Sequence, residues 1–178
     1  MSFDPKYSKT HQVRFERTLR FLERNVQAPA KVLDLGPSNP FGQIMTQAGF
    51  EVTNTKLGVD LDLEYEIVKE EQYEVVTAFE IFEHMVAPFN LLREIKADKL
   101  VASIPLKLWF ANAYWNEKDP WDRHYHEFEP RQFDMLLEKA GWKIVDAEKW
   151  TSPAYKIGVR PLLRRITPRY YIVSCVRI

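Results

Sequence analysis

Strand-like and helix-like segments alternate along most of this 178-residue chain, and that alternation restricts the possible folds more than any other feature. Short apolar runs rich in β-branched residues predict buried strands at residues 31–35, 50–55, 73–79, 99–104, 142–146 and 170–176. Apolar residues at helical spacing predict helices at residues 9–26 and 41–49, and from Pro88 and Pro130 onward. Because parallel strands need crossover connections, we expect a doubly wound α/β domain, with helices on both faces of a mostly parallel sheet.

The length of the chain predicts a single domain over residues 1–178, since a domain has roughly 100 to 200 residues. We divide it into an N-terminal helical segment, residues 1–27, and an α/β core, residues 28–178. No Gly/Ser-rich or Pro-rich linker separates the two parts. The N-terminal helix either covers a ligand or packs on the sheet, and its apolar stripe favours packing.

The chain carries 25 Lys and Arg residues and 25 Asp and Glu residues, a balance that does not favour a nucleic-acid or membrane-surface binder. Cys175 is the only cysteine, which suits a reducing compartment, and no apolar run reaches the roughly 18 residues of a membrane span. The charged N-terminus lacks the apolar core of a secretory signal. These features predict a cytoplasmic protein without a membrane partner.

The neutral total hides two segments of opposite charge. Residues 60–83 contain nine acids and one base, whereas residues 156–178 contain six bases and no acid. Charge runs of this kind are usually solvated faces. The basic segment also suits an anionic acceptor, such as a phosphate, a carboxylate or a nucleic-acid backbone.

A carboxylate and a glycine stand at the end of the first predicted strand, in the segment Val32–Gly36. Ligands of open α/β sheets bind at the carboxyl ends of the strands, where Asp34 offers charge and Gly36 permits close backbone approach. An ordinary strand-to-helix turn explains the same residues equally well. The loop contains neither a Gly-x-Gly-x-x-Gly fingerprint nor the Gly-Lys-Ser/Thr of a phosphate-binding loop.

Four segments in this order and spacing carry a family resemblance: Val32–Gly36, Val75–His84, Val101–Pro105 and His124–Trp142. Together they resemble class I S-adenosylmethionine-dependent methyltransferases, and most closely the small single-domain branch that acts on metabolites. The resemblance covers about residues 28–178. It implies a Rossmann-like, doubly wound, mostly parallel seven-stranded sheet with an antiparallel C-terminal strand. It also implies an enzyme whose cofactor is S-adenosyl-L-methionine.

The resemblance further implies where the cofactor lies. Asp34 would lie beside the methionine amino group, and the turn formed by Gly36, Pro37 and Ser38 would hold the amino-acid moiety. The segment after the next matching strand would line the methionine and sulfonium region, and its residues are Phe79, Glu80 and Ile81.

Two departures from the family pattern affect this assignment. The first loop has Ser38 and Pro40 where the family has further glycines, so close backbone approach is expected at Gly42 instead. The second strand ends in Asn54 rather than in the acid that binds the ribose hydroxyls. Asn54 is one candidate for the ribose, and the acids Asp60 and Asp62 are the other candidates for the ribose or the adenine amine.

Seven aromatic residues between Trp109 and Phe128 either cover an apolar or planar acceptor or pack on the domain as an ordered loop. We place Trp109, Trp115 and His126 on the acceptor side. His84 and His124 are the candidates for positioning or deprotonating the acceptor, because histidine titrates near neutrality. His124 and His126 resemble part of a metal site, but a third ligand is not evident, so no metal is predicted.

Three functions follow from these residues. The leading prediction is in-line methyl transfer from the sulfonium to a small-molecule acceptor. The alternatives are an RNA or protein methyltransferase that uses the basic C-terminal segment, and a non-catalytic domain of the same fold.

Overall fold

The computed structural model describes residues 8–153 and 157–178, and its centre is a six-stranded sheet. The strands in chain order are β1 (Lys31–Asp34), β2 (Glu51–Asn54), β3 (Val75–Phe79), β4 (Lys99–Pro105), β5 (Trp142–Thr151) and β6 (Pro168–Arg177). Their order across the sheet is β2-β1-β3-β4-β6-β5. Strands β2, β1, β3 and β4 are parallel, whereas β6 runs antiparallel to both β4 and β5. The mostly parallel sheet with an antiparallel C-terminal strand is thus confirmed.

The expectation of seven strands is wrong: the described residues form six, and β2 is an edge strand. Along the chain, the segment that joins β2 to β3 has alternating apolar and acidic residues but forms no strand. In this segment the Asp60 side chain accepts a hydrogen bond from the backbone N–H of Asp62. The backbone carbonyl of Asp60 accepts hydrogen bonds from the backbone N–H groups of Leu63 and Glu64. These local bonds close a turn, because short acidic side chains compete with the sheet for backbone donors.

The described residues also form five α-helices around the sheet: α1 (Lys9–Asn25), α2 (Pro40–Gln47), α3 (Pro88–Glu94), α4 (Pro130–Lys139) and α5 (Val159–Ile166). Because side chains alternate along a strand, neighbouring residues of β1 face opposite layers. Val32 packs in the cluster that contains the apolar residues of α1 and α2, whereas Leu33 packs with those of α3 and α4. The doubly wound architecture follows from this two-sided burial.

Several local signals of the sequence appear as expected. Pro88 and Pro130 begin α3 and α4, where their missing N–H would in any case have no helical partner. Gly141 follows α4 with a φ of 90°, and its N–H bonds to the carbonyl of Glu138. Helix α5 was not predicted, and none of its residues is buried.

The order of the strands determines where a cleft opens. The chain leaves β1 in one direction to form β2 and continues on the other side with β3, so the sheet order reverses between β1 and β3. The loops after two such strands diverge and leave a crevice at their carboxyl ends. No described helix is both long enough and apolar enough to cross a membrane.

Candidate active site

Asp34, the last residue of β1, is a buried carboxylate with fixed partners. Its Oδ1 accepts a hydrogen bond from the Thr77 hydroxyl at 2.7 Å, and its Oδ2 accepts from Asn54 Nδ2 at 3.0 Å. Burial raises the pKa of Asp34 to about 6, while the hydrogen bonds from Thr77, Asn54 and Asn39 act in the opposite direction. The fold therefore holds this carboxylate at the junction of β1, β2 and β3.

The turn after β1 brings backbone into the crevice. Gly36 has a φ of 104°, and its N–H donates to the Thr55 hydroxyl at 2.8 Å. A Cβ at this glycine would lie 3.1 Å from Ile81 Cδ1, so a larger residue there would press on the opposite loop. Asn39 then caps α2 by accepting from the backbone N–H groups of Phe41 and Gly42, at 2.9 and 3.1 Å.

A cavity of about 280 Å³ lies beside this turn. Six of the residues predicted to bind the cofactor line it, namely Asp34, Gly36, Pro37, Phe79, Glu80 and Ile81. Its other wall includes Arg14, Phe15 and Thr18 of α1. Phe15 is also part of the core. The N-terminal helix thus packs on the sheet, as expected, and walls the cavity as well.

A second cavity, of about 260 Å³, shares Gly36, Pro37 and Ile81 with the first. Asp60 and Asp62 both line it, so the structure brings these two candidates to the crevice. The Asp62 carboxylate already accepts hydrogen bonds from the backbone N–H groups of Val86 and Ala87, each at 2.7 Å. Asp62 therefore fixes the loop that leads into α3.

The loop after β3 begins with Glu80 in an unusual conformation. Glu80 has a φ of 58°, a left-handed backbone conformation that residues other than glycine rarely adopt. Its Oε1 accepts from the Ser103 hydroxyl at 3.2 Å, and its Oε2 lies 3.6 Å from Arg14 Nη1. Burial raises the pKa of Glu80, against the opposing charge of Arg14. These contacts direct the carboxylate into the crevice.

Glu83, His84 and His124 come together beyond Glu80. His84 and His124 stand edge to face with their ring centroids 4.9 Å apart, and His84 Nε2 lies 3.7 Å from Glu83 Oε1. Burial raises the pKa of Glu83 well above its usual range, and the charge of Glu80 adds to this effect. Burial also lowers the pKa of His124, as does the charge of His84. Sequence reasoning predicted both imidazoles for the acceptor, and the structure places them side by side.

These imidazoles line a third cavity, of about 380 Å³, between the β3 loop and the aromatic segment. Glu80 belongs to both this cavity and the first one, and His84 belongs to both this cavity and the second. Arg14, Tyr114 and Arg169 complete much of its wall. The third cavity therefore adjoins both parts of the crevice.

Six predicted residues line none of these three cavities: Ser38, Gly42, Asn54, Trp109, Trp115 and His126. Ser38 is exposed, and its neighbour Asn39 lines the first cavity instead. Asn54 and Gly42 support Asp34 from behind, since a Cβ at Gly42 would lie 3.5 Å from Asn54 Oδ1.

The aromatic segment divides between solvent and the cavities. Trp109 is 72% exposed and packs against Phe110. The guanidinium carbon of Arg123 lies 4.6 Å from the ring centroid of Trp115. Trp115 also lines a separate cavity with Arg160 and Arg164. His126 turns away from His124: its Nε2 lies 3.1 Å from the carbonyl oxygen of Val86, and its ring stacks on Phe128.

Sequence reasoning missed four cavity residues, Arg14, Asn39, Ser103 and Arg169, and also Thr77, which donates a hydrogen bond to Asp34. A polar residue inside an apolar strand, such as Thr77 or Ser103, was the one available signal. Arg14 and Arg169 come from the ends of the chain, so only the folded structure brings them to the cleft.

Comparison with known proteins agrees with this geometry. The family model described as "Methyltransferase domain" matches residues 9–147, more than half of the chain. No curated protein sequence matches the chain significantly.

Solved structures with this fold include three from different organisms. An S-adenosylmethionine-dependent methyltransferase of Archaeoglobus fulgidus has a TM-score of 0.66 at 15% identity, over 93% of this chain and 94% of that one. Magnesium protoporphyrin IX methyltransferase of Synechocystis PCC 6803, with bound SAH, has a TM-score of 0.65 at 14% identity, over 99% of this chain and 90% of that one. A Haloferax volcanii methyltransferase, in complex with its activator Trm112, has a TM-score of 0.56 at 12% identity, over 99% of each chain. The chain belongs to the class I S-adenosylmethionine-dependent methyltransferases, and S-adenosylmethionine is its cofactor.

Proposed function

We propose that this methyltransferase acts on a small-molecule acceptor bound in the 380 Å³ cavity beside His84 and His124. The observation that carries the proposal is that α1, the β3 loop, β6 and the aromatic segment all contribute residues to this one cavity, beside the two cavities proposed for the cofactor. Its volume falls within the range of small-ligand sites, which is about 300 to 1,000 Å³. A site walled by four elements suits a compact acceptor better than a polymer.

The cofactor fits the two cavities that meet at Gly36 and Ile81. Its methionine end belongs in the first cavity. There the Asp34 carboxylate is available to the cofactor's ammonium group, and the Gly36 turn leaves room for its amino-acid moiety. Its adenosine belongs in the second cavity, which Asp60 and Asp62 line. The sulfonium then lies near Ile81 and Glu80, at the border with the acceptor cavity.

The bound cofactor supplies an activated methyl group, so the protein mainly has to align the acceptor with it and exclude water. We assign the acceptor's reacting atom to the edge formed by His84 and His124. Charged side chains of both signs line the acceptor cavity, namely Arg14, Glu80, Glu83, Asp122 and Arg169, which favours a polar acceptor. Helix α1 contributes His11 and Arg14 to the wall of the same cavity.

One observation supports a macromolecular acceptor instead. Arg160, Arg164 and Trp115 line a cavity of about 320 Å³ that also includes Tyr114 and Arg169. Cations next to an aromatic ring suit a nucleotide or an acidic protein segment. Arg177, by contrast, donates its guanidinium N–H groups to backbone carbonyls such as those of Arg93 and Ile95, so it supports the fold rather than this surface.

Transfer of a labelled methyl group distinguishes the two acceptor classes. The purified enzyme is incubated with methyl-labelled S-adenosylmethionine and a cell extract that has been separated into small molecules, RNA and protein. We expect label only in the small-molecule fraction, with unchanged yield in Arg164→Ala, because that side chain lies outside the proposed acceptor cavity. Label in RNA or protein that disappears in Arg164→Ala would overturn the proposal.

A further inference from the structure

We propose that Glu83, His84 and His124 bind a divalent first-row transition-metal ion at the wall of the acceptor cavity. One ligand atom from each residue lies within 4.8 Å of the other two. Glu83 and His84 belong to a short 3-10 helix after β3, whereas His124 belongs to the aromatic segment. The fold thus joins His124 to two residues from a distant part of the chain, whereas the sequence had suggested His126 as its partner in a metal site.

The hydrogen bonds of both imidazoles leave one nitrogen available for an ion. His84 Nδ1 lies 3.0 Å from the carbonyl oxygen of Arg123, which can only accept, so Nδ1 carries the hydrogen and Nε2 a lone pair. His124 Nδ1 lies 3.2 Å from Glu127 Oε1, and the same reasoning applies. Metal-binding histidines commonly donate their other N–H to a carbonyl or carboxylate in this way.

Glu83 supplies an independent indication. Its side chain is 1% exposed, and its Oε2 has no hydrogen-bond partner among the described residues. A buried polar atom without a partner costs about 1 to 3 kcal/mol, so such atoms usually serve a ligand. A cation bound by both oxygens of this carboxylate would satisfy Oε2 as well as Oε1, which lies 3.7 Å from His84 Nε2.

The backbone holds the three residues in position. The carbonyl oxygen of Glu83 accepts hydrogen bonds from the N–H groups of Tyr125 and His126, at 2.7 and 3.2 Å. Glu127 Oε1 also accepts from the backbone N–H of Tyr114 at 2.8 Å, which fixes the carboxylate behind His124. The loop that carries His124 is therefore fastened to the residue that carries the proposed carboxylate ligand.

The donor set indicates the kind of ion. Two imidazoles and one carboxylate suit zinc, iron, cobalt or manganese better than magnesium or calcium, which prefer oxygen ligands. Metal–ligand distances of about 2.0 to 2.2 Å require the side chains to move closer together than they now lie. Glu80 is not part of the set, because Ser103 and Arg14 already hold its carboxylate.

Three protein ligands leave coordination positions open toward the acceptor cavity, which indicates an acceptor with an oxygen donor. This use of the ion rests on the proposed function. An acceptor hydroxyl bound to the ion would lose its proton to water, because a cation lowers its pKa. The oxygen would then form a bond to the methyl carbon as the carbon–sulfur bond breaks and its electron pair returns to sulfur.

Metal binding is measured on the tag-free, chelator-treated full chain, without cofactor or acceptor. Zn²⁺ is titrated by calorimetry, and the visible absorption of added Co²⁺ reports nitrogen and oxygen ligands. We expect one site per chain, lost in Glu83→Gln, His84→Ala and His124→Ala. Glu127→Gln should weaken it by about 10- to 100-fold, since it removes a partner of a ligand.

His126→Ala is the matched control, because this histidine lies two residues from His124 but turns toward Val86. It should bind Zn²⁺ as the unmodified chain does, and thermal melts establish that each variant is folded. An absence of binding, or binding that the three ligand substitutions leave unchanged, would overturn the metal site. A retained Co²⁺ spectrum in an enzyme that labels no small molecule would refute the proposed function and leave the metal site standing.

Discussion

Two buried carboxylates at neighbouring strand ends differ in how the fold satisfies them. Asp34, after β1, is 2% exposed and accepts hydrogen bonds from Thr77 and Asn54. Glu83, after β3, is 1% exposed, yet its Oε2 has no hydrogen-bond partner among the described residues. Burial raises the pKa of both groups, so their difference lies in their partners rather than in their depth.

This contrast indicates different tasks. The fold has completed the surroundings of Asp34 from three adjacent strands, which suits the fixed wall that we propose for the cofactor. Glu83 has been brought beside two imidazoles with an oxygen left over, which is the arrangement of a group that awaits a ligand. Each carboxylate can be changed separately to test this difference.

The largest effect is expected at Asp34. In Asp34→Ala the Thr77 hydroxyl and the Asn54 amide lose their acceptor, and a buried donor without a partner costs about 1 to 3 kcal/mol. Asp34→Asn keeps the shape of the side chain and one acceptor oxygen. We expect Asp34→Ala to have a free energy of unfolding about 2 to 3 kcal/mol below that of Asp34→Asn, measured by urea denaturation. Equal stability of the two variants would show that these hydrogen bonds do not hold the β1 end.

A smaller effect is expected on cofactor affinity, because the ionised Asp34 is proposed to face the cofactor's ammonium group. At pH 7.5, Asp34→Asn should bind S-adenosylmethionine at least about tenfold more weakly, or about 1.4 kcal/mol, as measured by calorimetry.

The pH dependence of this affinity has a definite sign. The pKa of Asp34 is about 6 in the ligand-free protein, so its carboxylate is charged above that pH and increasingly protonated below it. The affinity of the unmodified chain should therefore fall as the pH drops from 7 to 5 and approach that of Asp34→Asn. Parallel pH profiles for the two proteins would place the ammonium group elsewhere.

The smallest effect is expected at Glu83 in the metal-free protein. Glu83→Gln has nearly the same shape and breaks no hydrogen bond of Oε2, since none is present among the described residues. We expect its unfolding free energy to stay within about 0.5 kcal/mol of the unmodified value, as for a substitution that removes no interaction. A loss of 2 kcal/mol or more would mean that Glu83 supports the fold in the way that Asp34 does.

Much of the fold was predictable because its determinants are local. The apolar periodicities of β1, β3, β4, α1 and α4 matched the elements observed, and Gly141 and Pro88 marked helix ends through their own backbone preferences. The position of Asp34 and Gly36 beside a cavity was predictable for a related reason. A carboxylate followed by glycine at a strand end is a compact pattern, and its position after β1 places it at the crevice.

The failures have non-local causes. The family resemblance implied a seventh strand, but in the segment between β2 and β3 Asp60 closes a turn and Asp62 bonds to the distant loop before α3. Ser38 and Asn39 are adjacent polar residues, and only the geometry of the α2 cap shows which one faces the cavity. Trp109 and Trp115 stood out by composition, but composition does not indicate which aromatic rings the segment turns inward.

The sequence by itself determined an α/β domain with a cofactor cleft at its strand ends, because periodicity and the order of four motifs specify which strands form and which ends carry polar residues. The tertiary structure alone decided which side chains meet in that cleft. His84 and His124 become neighbours because the Glu83 carbonyl bonds to the backbone of Tyr125 and His126, and no local pattern encodes that contact. Arg14 and Arg169 reach the same cavity from opposite ends of the chain, because α1 and β6 both contribute to its wall.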